Sequence, residues 1–267
     1  WPDAQIEVQV TGAIGCTHWD IASDFRISPN HINPNPDSCG NAGVWEVMGS
    51  GNPNYQLPTF TSNISGYTGL DFWFGTHIDG NGSFPAIGFN GSGETRVFGA
   101  ITFPVNAVNI HPAPAQSGVI AWHSPVSGHV SISGGVSDND PACGNGIVWY
   151  LDKNTIDLAS GGIVNGGSQS FANGSGGTEL GTVEVNIGDT IYLAIHSNGD
   201  YFCDNTKVDF IVDVTNAPPT ATPLGGPTST SFPPNYTPPP STETPFPTPT
   251  PPTIQPTSSP YVQCYCV

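Results

Sequence analysis

The chain has 267 residues, 36% hydrophobic and 10% aromatic, with Gly 33, Pro 28 and Met 1; this supplies a core, but the few strong helix formers and the lack of a sustained 3.6-residue apolar period exclude a helical protein. Lys+Arg 4 against Asp+Glu 21 gives a formal net charge of -17. Arg26, Arg96, Lys153 and Lys207 make no basic stripe, which sets aside nucleic acid and anionic membranes as partners and turns carboxylate clusters toward a hard cation such as Ca2+.

The chain opens at Trp1 without Met and shows neither a leader nor a membrane span, so it reads as the mature product of an exported precursor. The first strand is IEVQV, where Ile6, Val8 and Val10 alternate with polar residues and place one face on a core. Next, an irregular stretch runs from Cys16 to Cys39, with Pro29, Pro34 and Pro36 inside it. Those prolines remove ladder donors, and a Cys16–Cys39 disulfide would order a loop with little core of its own. Strand-like runs resume at GVWEVM, FPAIGF and RVFGAITF.

From residue 119 the pattern becomes regular: VIAWH, HVSISGGV, GIVWYL, LGTVEV, TIYLAIH and KVDFIVDV. Val130, Ile132, Val136, Ile191, Leu193, Ile195, Val208, Phe210, Val212 and Val214 fall on inward positions, with turns at Ser127-Gly128 and Gly188-Asp189. Short strands at this spacing predict an all-β protein, an antiparallel two-sheet β-sandwich of jelly-roll-like type over residues 1–215, with 1–105 and 106–215 as alternative sub-parts. Residues 216–260 are a Pro/Thr-rich tail of extended, polyproline II character. Its Thr220, Thr222, Thr248 and Thr250 are the best candidates for O-glycosylation, ahead of the sequons at Asn63, Asn81, Asn90, Asn173 and Asn235. The chain then returns to a strand-like segment, YVQCYCV at 261–267, carrying Cys264 and Cys266. A segment this short needs a folded receptor, through strand addition to a sheet edge or through a disulfide.

Six cysteines in a Lys-poor chain indicate an oxidising, extracellular or cell-surface location, and they allow fifteen pairings. Two acidic turns each carry one: Asp138-Asn139-Asp140 before Cys143, and Asp200 to Asp204 around Cys203. If Cys143 bonds Cys203, then Asp138, Asp140, Asp200 and Asp204 converge and call for a cation, for which Ca2+ suits oxygen ligands on loops. The competing reading is that these Asp residues cap their own turns. Asp79 to Ser83 is a weaker acidic loop. Among the tryptophans Trp19, Trp45, Trp73, Trp122 and Trp149, the strand-borne Trp122 and Trp149 belong to the core, whereas Trp73, in the irregular DFWFGTH, is the candidate sugar platform. His18, His31, His77, His111, His123, His129 and His196 lack zinc spacing, and no nucleophile elbow or phosphate loop occurs.

The runs at 119–149 and 185–210 resemble β-sandwich modules of secreted and cell-surface bacterial proteins. The shared features are Trp122-x-x-Pro125-x-x-Gly128, then Gly188-Asp189, then Asp204-x-Thr206. DFRISPNHINPNPDSCGNAGVWEV, at 24–47, is similar to the opening of the same module, so the resemblance spans roughly residues 15 to 214. It implies a sandwich similar in outline to carbohydrate-binding jelly rolls, an extracellular setting and no catalytic residues. The cysteines near Asp140 and Asp204 depart from the common pattern and imply extra stapling. The spacer with its short terminal strand and cysteine pair points to a structural subunit of an extracellular filament or cell-surface assembly, a homopolymer with tail-mediated contacts. The alternative is a carbohydrate-binding module, with glycans as partners. Neither reading is enzymatic.

Overall fold

The computed structural model describes residues 15–25, 31–49, 57, 59–79 and 82–215. The expected first strand, the tail with Thr220, Thr222, Thr248 and Thr250, and the segment bearing Cys264 and Cys266 lie outside them. The described residues belong to one compact unit.

The strands in chain order are β1 (His18–Asp20), β2 (Trp45–Gly49), β3 (Thr59–Thr61), β4 (Leu70–Asp79), β5 (Gly82–Asn90), β6 (Arg96–Phe98), β7 (Ile101–Phe103) and β8 (Val108–His111). There follow β9 (Gly118–His123), β10 (Gly128–Asp138), β11 (Ile147–Lys153), β12 (Ile156–Ile163), β13 (Ser168–Ser170), β14 (Val183–Val185), β15 (Thr190–Ser197) and β16 (Thr206–Thr215). They make an antiparallel β-sandwich. The larger sheet runs β13-β10-β16-β8-β5-β4-β3, the smaller runs β12-β11-β15-β9-β2, and β6-β7 is a separate hairpin. From β9 onward most connections pass from one sheet to the other, the jelly-roll habit. Strands from either side of 105/106 share both sheets: β5 pairs with β8 in the larger and β2 with β9 in the smaller.

The longest ladder joins β10 to β16, from His129 opposite Thr215 to Asp138 opposite Thr206. The other flank of β16 is shared: Thr206 to Val208 pair with β8, and Ile211 to Asp213 pair with β1. Period-2 alternation works as expected here, since Val130, Ile132, Val136, Ile191, Leu193, Ile195, Val208, Phe210 and Val212 are all buried between the sheets. Val214 is half-buried. Four indoles fill the centre: Trp19, Trp45, Trp122 and Trp149 are fully buried. Trp19 meets Trp122 edge-on at 5.2 Å and Trp45 meets Phe210 at 5.4 Å; such pairs add about 0.5–1.5 kcal/mol beyond burial.

Inside the irregular Cys16–Cys39 stretch, Asp20 starts a single helical turn, α1 (Ile21–Phe25). Its Oδ1 accepts from Ala22 N at 3.0 Å and its Oδ2 from the Ser23 hydroxyl at 2.8 Å, the capping role of an acidic side chain. The Cys16–Cys39 disulfide is formed. RVFGAITF folds as the β6-β7 hairpin, while LGTVEV contributes only β14, because Gly177–Gly181 winds as a 3-10 turn.

Candidate functional site

Two loops leave the β10–β16 ladder side by side. Asn139 N donates to Asn205 O at 2.8 Å just beyond the paired Asp138 and Thr206, and Cys143–Cys203 closes the loops with Cα atoms 5.4 Å apart. Gly144, at φ +88, lets one loop fold over the other: a Cβ there would sit 2.3 Å from Phe202 O and 3.5 Å from Asp204 Oδ1.

The four aspartates of these loops divide into two kinds. Asp138 takes Asp140 N at 2.7 Å and Gly166 N at 2.6 Å, and Asp200 takes Phe202 N at 3.2 Å, so the turn-capping reading applies to both. Asp140 and Asp204 are buried. Burial, then the charge of Asp138, raises the Asp140 carboxyl above its ordinary value, against a backbone hydrogen bond from Ala142. Asp204 is 2% exposed, and neither of its carboxylate oxygens has a hydrogen-bond partner among the described residues. Desolvation first, and then Asp200, Asp138 and Asp140, push its pKa up to about 8. The Asn205 side-chain nitrogen beside it is buried and unpartnered as well.

The same loop carries an aromatic surface. Phe202 is 48% exposed, and the Tyr201 ring lies 4.7 Å from it at a 30° tilt. Behind them Tyr201 meets His77 at 6.0 Å, Phe84 at 5.8 Å and His111 at 6.2 Å, all edge-on. The rings are thus propped from the β4–β5 and β8 side, and the disulfide at Cys203 fixes the backbone next to them.

Trp73 is not a platform. It lies within β4, is 5% exposed, and packs edge-on against Phe25 and Phe60 at 5.3 and 4.8 Å; a ring this buried cannot stack on a sugar. Other polar candidates have structural roles. His123 bonds Glu46 and Thr190 at 3.0 Å each, and His18 bonds Asp213 at 2.6 Å. Asn90 is no acceptor for a glycan, because it is buried and its amide donates to Glu94 O and Phe103 O, whereas Asn173 is exposed. Asp79 pairs with Gly82, and residues 80–81 lie outside the description. Among the described residues, the ligand-type side chains that meet in a group of three within 4.8 Å are Cys16, Asp37 and Cys39, whose sulfurs are bonded to each other and so do not form a metal site.

A shallow groove of about 600 Å³, unforeseen in the sequence, crosses Gly134, Gly135, Ser137, Ser168, Gln169, Asn173 and Asp209. It offers no aromatic face. Its Gln169 amide is already engaged, accepting from Trp149 Nε1 at 2.9 Å and donating to Asn173 O.

No protein-family model matches the chain, and no curated protein does. Solved structures with similar strand arrangements include the carbohydrate-binding module CBM51 from Clostridium perfringens GH95 in complex with methyl-galactose, at 8% identity and TM-score 0.34, covering 62% of this chain and all (100%) of that one. Another is the carbohydrate-binding module CBM36 in complex with calcium and xylotriose, at 20% identity and TM-score 0.25, over 41% of this chain and 79% of that one. A third is an apo-form cyclase from Fischerella sp., at 10% identity and TM-score 0.28, over 74% and 97%. At these scores the likeness stops at the layout of strands.

Proposed function

We propose that residues 15–215 are the glycan-binding body of an extracellular protein, and that the recognition surface is the Tyr201–Phe202 pair on the Cys203 loop. The exposed Phe202 ring, propped by Tyr201 and held by the neighbouring disulfide, carries this reading. An aromatic face held in advance stacks on the apolar face of a pyranose with little ordering cost. The formal net charge of -17 repels anionic polysaccharides and selects neutral ones. Two disulfides fit an oxidising compartment. The body binds its ligand without turning it over. The filament reading takes its support from residues 216–267, outside the described residues, and ranks second for that reason.

The test is a panel of neutral polysaccharides, with calorimetric titration of any that bind. Phe202→Ala should weaken binding at least about tenfold, the loss of roughly one stacking contact, and leave the unfolding temperature unchanged. A wild-type chain that binds no neutral glycan, or a Phe202→Ala variant that binds equally well, would overturn the proposal.

A further inference from the structure

We propose that Asp138, Asp140, Asp200 and Asp204 hold one Ca2+ between the two loops joined by Cys143–Cys203. The inference stands independently of the glycan reading. Its central observation is Asp204, a carboxylate 2% exposed whose two oxygens have no hydrogen-bond partner among the described residues. A buried acid without a partner is costly whether ionised or not, and native structures retain one where a counter-ion supplies the missing contacts.

Among the described residues no Lys or Arg fills that role. Lys153 goes to Asp189 and Glu184 O, Lys207 to Asp209, and Arg96 to Glu94, while Arg26 lies outside the described residues. A cation from solution would supply the missing contacts and return Asp204 to its ionised form. The charges of Asp200, Asp138 and Asp140 act on Asp204, and the Asn139–Asn205 hydrogen bond and the disulfide keep their loops together. The capping bonds of Asp138 and Asp200 leave lone pairs for a metal, since an ionised carboxylate has about four acceptor sites. Among the described residues no three of these carboxylates lie within 4.8 Å of one another, so a divalent cation would have to draw their side chains inward. Irregular loops offering carboxylate oxygens suit Ca2+, which accepts variable coordination, better than Mg2+, which requires near-octahedral geometry.

The experiment uses the full, oxidised chain, stripped with EDTA, dialysed and titrated calorimetrically with CaCl2 and separately with MgCl2. One Ca2+ per chain is expected, together with a rise in unfolding temperature on Ca2+ addition and at least about tenfold weaker Mg2+ binding. Asp204→Asn should abolish the Ca2+ heat while the metal-free variant stays folded, since the amide is uncharged and nearly isosteric with the acid. Asp200→Asn, on the outer loop, should weaken Ca2+ at least about tenfold and guards against a folding defect at residue 204. Absence of Ca2+ binding by the wild-type chain, or unchanged binding by both variants, overturns the site. Loss of glycan binding in Phe202→Ala with Ca2+ binding intact would leave it standing.

Discussion

Trp19 donates its indole N–H to Asp37 Oδ2 at 2.7 Å in the buried interior. Asp37 accepts three more hydrogen bonds, from Cys39 N at 3.0 Å, Asn41 N at 2.8 Å and the Asn41 amide at 2.7 Å. One carboxylate thus ties the loop closed by Cys16–Cys39 to the central indoles. Asp37→Ala should cost about 2–4 kcal/mol by urea unfolding, the penalty for leaving several neutral donors, the buried Trp19 N–H among them, without their acceptor. Trp19→Phe, which keeps a ring and removes the donor, should cost about 1–2 kcal/mol for the N–H alone, plus any packing loss. Equal costs for the two would show that Asp37 does not organise the loop.

A second buried acid makes the fold pH-sensitive. Asp24 accepts from Trp45 Nε1 and from Ser38 N at 2.9 Å. Burial nonetheless raises its carboxyl above the ordinary value, aided weakly by Asp37 and opposed by those hydrogen bonds. A folded-state pKa above the unfolded one favours the protonated form on folding, so its contribution is full below about pH 4 and declines as pH rises through the folded-state value. Asp24→Asn removes this titration. The difference in unfolding free energy between wild type and variant should therefore shift with pH above about 4, in the direction of wild-type destabilisation; a constant difference from pH 3 to 8 would refute it.

The two disulfides close loops of different length, with sequence separations of 23 for Cys16–Cys39 and 60 for Cys143–Cys203. Chain entropy gives about 3 and about 4 kcal/mol respectively. Paired Cys→Ser variants measured by chemical unfolding should rank in that order. The reverse ranking would mean that contacts at Cys16, packed in the core cluster, outweigh loop closure.

Gly134 sits in the β10–β16 ladder at φ +112, with a would-be Cβ only 2.0 Å from Asp209 O. Neither backbone can retreat without breaking the ladder, so Gly134→Ala should cost about 3 kcal/mol or more. Gly181, whose Cβ would meet nothing within 4 Å, serves as the control, and Gly181→Ala should stay within about 0.5 kcal/mol. Thermal unfolding of the two variants side by side decides the matter.

The sandwich was legible where one face of a strand is buried and the other is not. β10, β15 and β16 alternate cleanly, and their inward residues are those the pattern marked. β4 was not legible, because both its faces are covered: Trp73 belongs to the central core, and Leu70 and Phe72 to a second cluster with Phe84 and Phe103. With no period to read, DFWFGTH looks irregular and its tryptophan reads as an exposed ring. The convergence of the acidic loops could be anticipated from the cysteine beside each, but the division into capping and unpartnered carboxylates depends on burial, which local sequence does not encode. Tyr201–Phe202 has no sequence signal to set it apart, whereas the tryptophans that invite a platform reading, Trp19, Trp45, Trp73, Trp122 and Trp149, are core residues.

The last strand among the described residues occupies the interior of the larger sheet: β16 lies between β10 on one side and β8 and β1 on the other. A chain emerging from a ribosome or a translocation pore therefore carries three strands whose hydrogen-bonding edges stay vacant until Thr215 is free. Closure of the body is one late event with long-range pairing, a topology that folds slowly. Products shortened before Thr206 would present those edges to one another and aggregate.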